Sequence, residues 1–309
     1  MSEPHPHPRR RPLRLAAAFA VLLALIGYVL AQYLTGAKGS PSCEVADGGT
    51  RYRFDPEQAS NAAVIAAVGT TRGMPERAVT IALATALQES GLRNIDYGDR
   101  DSLGLFQQRP SQGWGTERQI MDPVYASGEF YEHLDEVPGY SRMPLTVAAQ
   151  RVQRSGFPQA YAKHEPDAAL LAAALTGRTP ASLTCDRGAE AVPAGDPAKV
   201  RAELRRAFGP SVLPKATTGT VLSVPAAPAA GGASGAPDPE QPTAPGSRRG
   251  WELAHWAVAR AHTLGIAEVS YAGRLWTAER SSEGWRTAPA RPGTDGTTDT
   301  VRITAATAR

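Results

Sequence analysis

One carboxyl group in this chain lies where a protonated acid is favoured near neutral pH. Glu89 closes the apolar run PERAVTIALATALQES of residues 75–90. At helical spacing Val79, Leu83, Ala86 and Leu87 form a buried stripe. Glu89 falls at the edge of that stripe, above Thr85 and Ala86 and close to Ala82. A carboxyl group held there is partly desolvated, which favours its neutral form. A carboxylic acid that keeps its proton is what general-acid cleavage of a glycosidic bond requires. The stretch that follows supplies Tyr97, Asp99, Asp101, Gln107 and Gln108 as hydrogen-bonding groups for sugars, and Trp114 as a stacking face. Asp99 or Asp101 can serve as a second carboxylate that activates water, or only shape the turn GDRDS. The plainer reading of Glu89 is a solvated helix end or an ion pair with Arg93.

These residues must be positioned by helices. Asp55-Pro56 opens one, with Asp as N-cap and Pro in the first turn, running to about Thr70 and ended by Gly73. Pro75 opens the next. Residues 91–118 read as a loop region, and helices resume around 122–137, 144–154 and 166–176. Strand signals are scarce up to residue 185, so 55–185 reads as a mainly helical domain behind a stalk at 35–54. Residues 186–210 read as a short helical extension. Residues 211–249, rich in Ala, Pro, Gly, Ser and Thr, read as a disordered linker. Residues 250–309 read as a small α+β module. It has a helix over 251–264 with Leu253, Ala257, Ala261 and Leu264 on one face, two strands around Ala272-Gly273, and a final strand VRITA. Trp251, Trp256, Trp276 and Trp285 form the core of this module or stack on sugars. His255 and His262, seven residues apart, can share a helix face, but no third metal ligand accompanies them. His164-Glu165 before Pro166 reads as a helix start rather than a catalytic pair.

The 309 residues carry 33 basic and 30 acidic side chains, a net charge of +3, too balanced to argue for nucleic acid. The basic tail of residues 1–14 precedes an uncharged run over 15–34, long enough to span a bilayer. With Arg9, Arg10, Arg11 and Arg14 before it, the positive-inside rule puts the N-terminus in the cytoplasm and the bulk of the chain outside. The expected localisation is therefore a single-pass cell-membrane anchor, with a cleaved signal peptide as the rival. Outside the cytoplasm Cys43 and Cys185 are expected to pair. Closing so long a loop contributes about 5 kcal/mol in the chain-entropy model. A transporter accessory is the poorer reading, resting on the single span and on His5 and His7.

The triplet QES at 88–90 followed by SLGLFQ at 102–107 resembles the lysozyme-like lytic transglycosylases and goose-type lysozymes. The fuller wording GDRDSLGLFQQRPSQGWGT is similar to a group of actinobacterial envelope proteins with this domain. The resemblance covers about residues 55–180. It implies that Glu89 is the catalytic acid, that Ser90 positions the loop, and that Gln107 lines the cleft. AAQRVQRS at 148–155 stands where the family carries an AYNAG-like helix, with Gln150 in place of the Tyr, and Pro158 and Tyr161 follow it. The implied substrate is the peptidoglycan glycan strand, and neither a cofactor nor a metal is called for. GWELAHWAVARAHTLGIAEVSYAGRLWTA resembles the end of a zinc D,D-peptidase-like domain. Asp299-Thr300-Val301-Arg302 stands where that family has Asp-His-Val-His, so the zinc ligands are missing. The module then implies a contact with the cell wall or a protein partner through residues 250–309.

The expected fold is therefore mainly α: one transmembrane helix, a lysozyme-like helical domain, a linker and a small α+β module. The expected function is membrane-anchored, extracytoplasmic cleavage of glycan strands by a lytic transglycosylase that uses a single Glu. The alternative is an inactive lysozyme-like envelope protein that binds glycan or recruits a partner.

Overall fold

The computed structural model describes residues 19–28, 39–154, 159–214, 219–226, 247–289 and 298–307. The chain divides into two units, Met1–Ser40 and Pro41–Arg309. In the first, residues 19–28 are helical (α1). Ten residues at 1.5 Å each span about 15 Å, half of a bilayer's hydrocarbon core. No helix among the described residues is long and apolar enough to cross a membrane. This overturns the expected transmembrane helix at 15–34 and the single-pass membrane localisation built on it. The rest of that stretch, the basic tail 1–14 and His5 and His7 lie outside the described residues.

The second unit combines helices with two antiparallel sheets, which corrects the mainly helical expectation. Part of the supposed stalk is a hairpin of β1 (Ser42–Asp47) and β2 (Thr50–Phe54), and β3 (Leu183–Asp186) pairs with the other side of β1. Cys43 and Cys185 face each other across β1 and β3 and are joined by a disulfide, 142 residues apart in sequence. Only Cys43 and Val45 of β1 turn inward. So short an apolar pattern is silent in sequence, because its pairing partner is remote.

The helical body follows in order. α2 (Pro56–Thr71) is capped by Asp55 in a reciprocal capping box with Gln58. α3 (Glu76–Ser90) ends at Gly91 in the left-handed conformation. Every residue from Ala78 to Leu87 is buried, so α3 is the central helix rather than a one-faced surface helix. α4 (Glu117–Ile120), α5 (Pro123–Asp135), α6 (Leu145–Gln153) and α7 (Glu165–Leu175) complete the body. α2, α5, α6 and α7 all pack on α3. α8 (Pro197–Phe208), capped by Asp196, leads into the C-terminal part.

The C-terminal sheet has the order β4-β8-β5-β6-β7. It is built from β4 (Val221–Pro225), β5 (Ile266–Tyr271), β6 (Arg274–Thr277), β7 (Arg286–Thr287) and β8 (Thr300–Ala305). β4 falls inside the expected disordered linker 211–249; its Leu222 and Val224 alternate inward against β8. Residues 215–218 and 227–246 of that linker lie outside the described residues. The hairpin β5–β6 turns at Ala272 and Gly273, both with positive φ (48° and 72°), the geometry that matches strand twist in a two-residue loop.

α9 (Arg248–Ala259) and the short α10 (Ala261–Leu264) cover this sheet. α9 also packs on α2, α7 and β3, so the module is not a free appendage. Trp251, Trp256 and Trp276 are buried. Trp276 donates to the Cys185 carbonyl (3.3 Å) and Trp285 to that of Leu183 (2.8 Å). Trp276 and Trp285 thus tie the C-terminal sheet to β3, while Trp251 and Trp256 are packed in the core.

His255, fully buried in α9, donates from Nδ1 to the Ala174 carbonyl at the end of α7 (2.7 Å). Its Nε2 has no hydrogen-bond partner in the structure. Burial pushes the imidazole down to about 4, against the smaller opposing effect of the Ala174 bond. An unfolded histidine titrates near 6.5, so unfolding takes up a proton between these values. The stability His255 confers is complete above about pH 6.5 and is lost as pH falls toward 4, amounting to about 3 kcal/mol. Thermal melts from pH 7 to 4 will show a falling midpoint, and His255→Asn, which keeps the donor, will flatten the slope. An equal slope in both proteins would assign it to other groups.

Candidate active site

α3 delivers Glu89 at the far end of the central helix, half-buried one turn beyond the fully buried Thr85 and Ala86. Tyr161, wholly buried, donates its hydroxyl to Glu89 Oε1 at 2.7 Å. The Gln153 side chain lies close enough to the Glu89 carboxyl to favour its ionised form. Desolvation raises the pKa of Glu89 above its ordinary value, and the neighbouring Tyr161 and Gln153 side chains oppose it without cancelling it. A carboxylate in the last turn also faces the negative pole of the helix, which acts in the same direction as burial. Arg93 does not pair with Glu89. It is held by Asp55 and by Glu57 (2.9 Å).

Ser90 Oγ donates to the Leu105 carbonyl at 2.8 Å, and Gln153 Nε2 to the next carbonyl, Phe106, at 2.7 Å. The turn carrying these carbonyls closes through the bridge between Leu103 and Gln108. Gly104 has φ 74°, and a Cβ there would lie 2.8 Å from the Ile120 carbonyl, so only glycine fits. Gln107 also adopts the left-handed region, φ 48°, a conformation that costs an L-residue about 1–2 kcal/mol and recurs at functional sites. Its amide lies over Gly98, where a Cβ would meet Gln107 Oε1 at 1.9 Å.

The other expected site residues do not converge on Glu89. Asp101 accepts from Arg109 Nε (2.7 Å) and from the Ser111 backbone (2.8 Å). Bonds from Ser111 and Arg109 hold its carboxyl well below the usual range, so it is a permanently ionised loop clamp. The Asp99 side chain is 91% exposed beside Arg100. Tyr97 is also exposed. Gln108 is buried and donates to the Ala126 carbonyl (3.0 Å), which makes it a strut for α5 rather than a sugar contact. Trp114 is half-buried with one ring face stacked on His133, centroids 4.1 Å apart. Tyr161 therefore meets Glu89 and Ser90 anchors the neighbouring turn, whereas Gln107 donates to the Tyr97 and Gly104 carbonyls (3.3 and 3.4 Å), and Gln108, Asp101 and Trp114 are occupied in the scaffold.

Of the residues near the AYNAG-like stretch, Arg151 is exposed, and Pro158 lies outside the described residues. Gln153 is the residue that sequence reasoning missed. It is the last residue of α6, three positions after Gln150, and only the helix end makes it face the turn. His164 meets Gln88, the neighbour of Glu89, at 3.2 Å, while Glu165 pairs with Arg77 (2.6 Å). His255 and His262 do not form a ligand pair: His255 bonds Ala174, and His262 meets Glu190 at 2.8 Å. Arg302, where the peptidase pattern has its second histidine, is exposed on β8 between Ser223 and Ser270.

A family model described as the VldE C-terminal domain matches residues 231–300, under a quarter of the chain. Of the described elements it takes in α9 through β7 and leaves out the helical body that carries Glu89. No curated protein matches the chain.

Tyr161→Phe removes one donor to the carboxylate without opening a cavity. A hydrogen bond to a charged group is worth about 1.5–3 kcal/mol, so Glu89 will titrate roughly one to two units higher. Carboxyl NMR of labelled protein, assigned with Glu89→Gln, measures this. An unmoved midpoint would show that the 2.7 Å contact is not made in solution.

Proposed function

We propose that this protein cleaves the glycan strands of peptidoglycan, with Glu89 as its single acid–base group and a 1,6-anhydro sugar as the product end. The observation that carries this reading is Glu89 itself, its pKa raised by burial and its Oε1 held by Tyr161. With Oε1 engaged, Oε2 carries the proton for transfer. Protonated Glu89 gives that proton to the glycosidic oxygen as the C1–O bond breaks. The carboxylate left behind takes the proton of the sugar's 6-hydroxyl while O6 bonds to C1, which closes the anhydro ring and restores the acid. Water is neither consumed nor activated.

Hydrolysis with inversion would need a second carboxylate placed to activate water. Asp101 is committed to Arg109 and Ser111, and Asp99 projects into solvent, so neither favours that route. The resemblance of QES and SLGLFQ to lytic transglycosylases supports the same assignment. The bond from Ser90 to Leu105 fits the loop-positioning role implied for that serine. The Cys43–Cys185 disulfide supports action in an oxidising, extracytoplasmic compartment, where cell-wall glycan lies.

Digestion of purified peptidoglycan by the full chain, with mass spectrometry of the fragments, tests the proposal. Anhydro ends are expected from the wild type, and Glu89→Gln should lower their release by about 10²–10⁴-fold. Because the protonated form does the work, activity should decline on the alkaline side, as pH rises through the raised Glu89 midpoint. Reducing ends would mean hydrolysis. No release from folded, oxidised protein would reassign the chain to glycan binding without catalysis.

A further inference from the structure

The last residue of α6, Gln153, sits at a junction that the proposed chemistry does not yet use. Its amide nitrogen donates to the Phe106 carbonyl at 2.7 Å, and the same side chain lies beside the Glu89 carboxyl, close enough to favour its ionised form. An amide NH₂ carries two protons, so the one not given to Phe106 is available to the Glu89 carboxyl. Phe106 is a fixed reference point, being wholly buried with its ring stacked on Phe130 at 4.6 Å. The backbone end is fixed as well. Val152 and Ala149 bury the inner face of α6, and Arg154 ends the helix in the left-handed conformation, φ 51°.

We infer that Gln153 is a positioning residue for Glu89, a neutral strut that ties the acid at the end of α3 to the 103–108 turn and so sets the direction in which its carboxyl points. This rests on the reading of Glu89 as the acid, although the strut itself does not. Two successive carbonyls of the turn, Leu105 and Phe106, are taken by Ser90 from α3 and by Gln153 from α6. The acid and its turn are thereby locked from both sides, and Tyr161 holds the remaining direction.

The residue type matters. An arginine or lysine here would favour ionised Glu89 and remove the acid. A glutamine cannot titrate, so it donates at every pH and stabilises the carboxylate formed after proton transfer while leaving burial dominant. Asparagine is one methylene shorter and cannot span the same two acceptors.

Gln153→Met, similar in length but without a donor, tests the inference, with Gln153→Asn as a second variant should the first fail to fold. Carboxyl NMR should show Glu89 titrating about one unit higher in either variant. On peptidoglycan, kcat should fall tenfold or more with KM changed less than about threefold, and the alkaline limb of the pH profile should move up with the Glu89 midpoint. Tyr161→Phe combined with Gln153→Met should move the midpoint further than either alone. A folded variant in which Glu89 titrates as in the wild type overturns the inference, whatever its activity. The converse separates the two ideas: a shifted midpoint in a protein that releases no glycan fragments keeps Gln153 as the strut and sinks the proposed reaction instead.

Discussion

Ionised Glu89 loses hydration at the end of a buried helix, and among the described residues neutral side chains, Tyr161 and Gln153, stand in for it. The helical body follows from that constraint. Removing a carboxylate from water costs several kcal/mol unless charge or hydrogen bonds compensate. Here the compensation is partial by construction, because Tyr161 donates and Gln153 lies beside the carboxyl while the nearest arginine in sequence, Arg93, is drawn off by Asp55 and Glu57. Full compensation by Arg93 would have made Glu89 an inert ion pair. The same Asp55 that withdraws Arg93 also caps α2, so one residue serves both the start of a helix and the electrostatics of the site.

The loop beyond Glu89 keeps its shape with almost no regular secondary structure. Side chains bonding to backbone carbonyls do the work: Ser90 to Leu105, Asn94 to Met121 (2.8 Å), Gln108 to Ala126 and Gln153 to Phe106. Each bond of this kind is worth about 1 kcal/mol net, but leaving a buried carbonyl unpaired costs more. The loop is therefore specified by its polar side chains rather than by a ladder. This explains why a stretch rich in Gln, Asn, Ser and Asp reads as loose in sequence yet is tightly held in the fold. It also explains the glycines at 98 and 104, where the backbone must approach the Gln107 amide and the Ile120 carbonyl closely.

What was legible in the sequence depended on how local the signal is. Asp55-Pro56, the apolar run of α3 and the Ala272-Gly273 turn act through neighbours within a few residues, and the structure has them where the pattern put them. The partial burial of Glu89 was legible from the apolar run that precedes it, although that run is buried on all sides rather than along one stripe. β1, β3 and β4 were not, because four- to six-residue strands with two inward residues each have no meaning apart from distant partners. Gln153 was hidden for a related reason. Its role depends on where α6 stops, and Gln150, one turn earlier on the same helix, is chemically identical. Gln108 misled in the opposite sense: next to Gln107 and of the same type, it turns inward because the bridge at Leu103 sends alternate residues to opposite sides.

The C-terminal module changes what counts as the active unit. Sequence composition suggests a helical domain, a spacer and an independent appendage, but α9 packs on α2, α7 and β3. The first residue of α3, Glu76, bonds Arg178 (2.8 Å) beyond α7 and Arg248 (3.0 Å) at the start of α9. Gly177 is held against the Arg248 carbonyl, with no room for a Cβ. Helix α7 is thus clamped between α3, which carries Glu89, and α9, which carries the buried His255 and Trp251. Tyr161 lies just before α7, in the segment Tyr161 to His164 that packs on both α3 and α7. Removing the module would strip the outer face of α7, leave the Ala174 carbonyl without its His255 donor and take Arg248 away from Glu76. The hydroxyl that holds Glu89 Oε1 depends on the placement of that helix, so the C-terminal module contributes to the acid's geometry through packing.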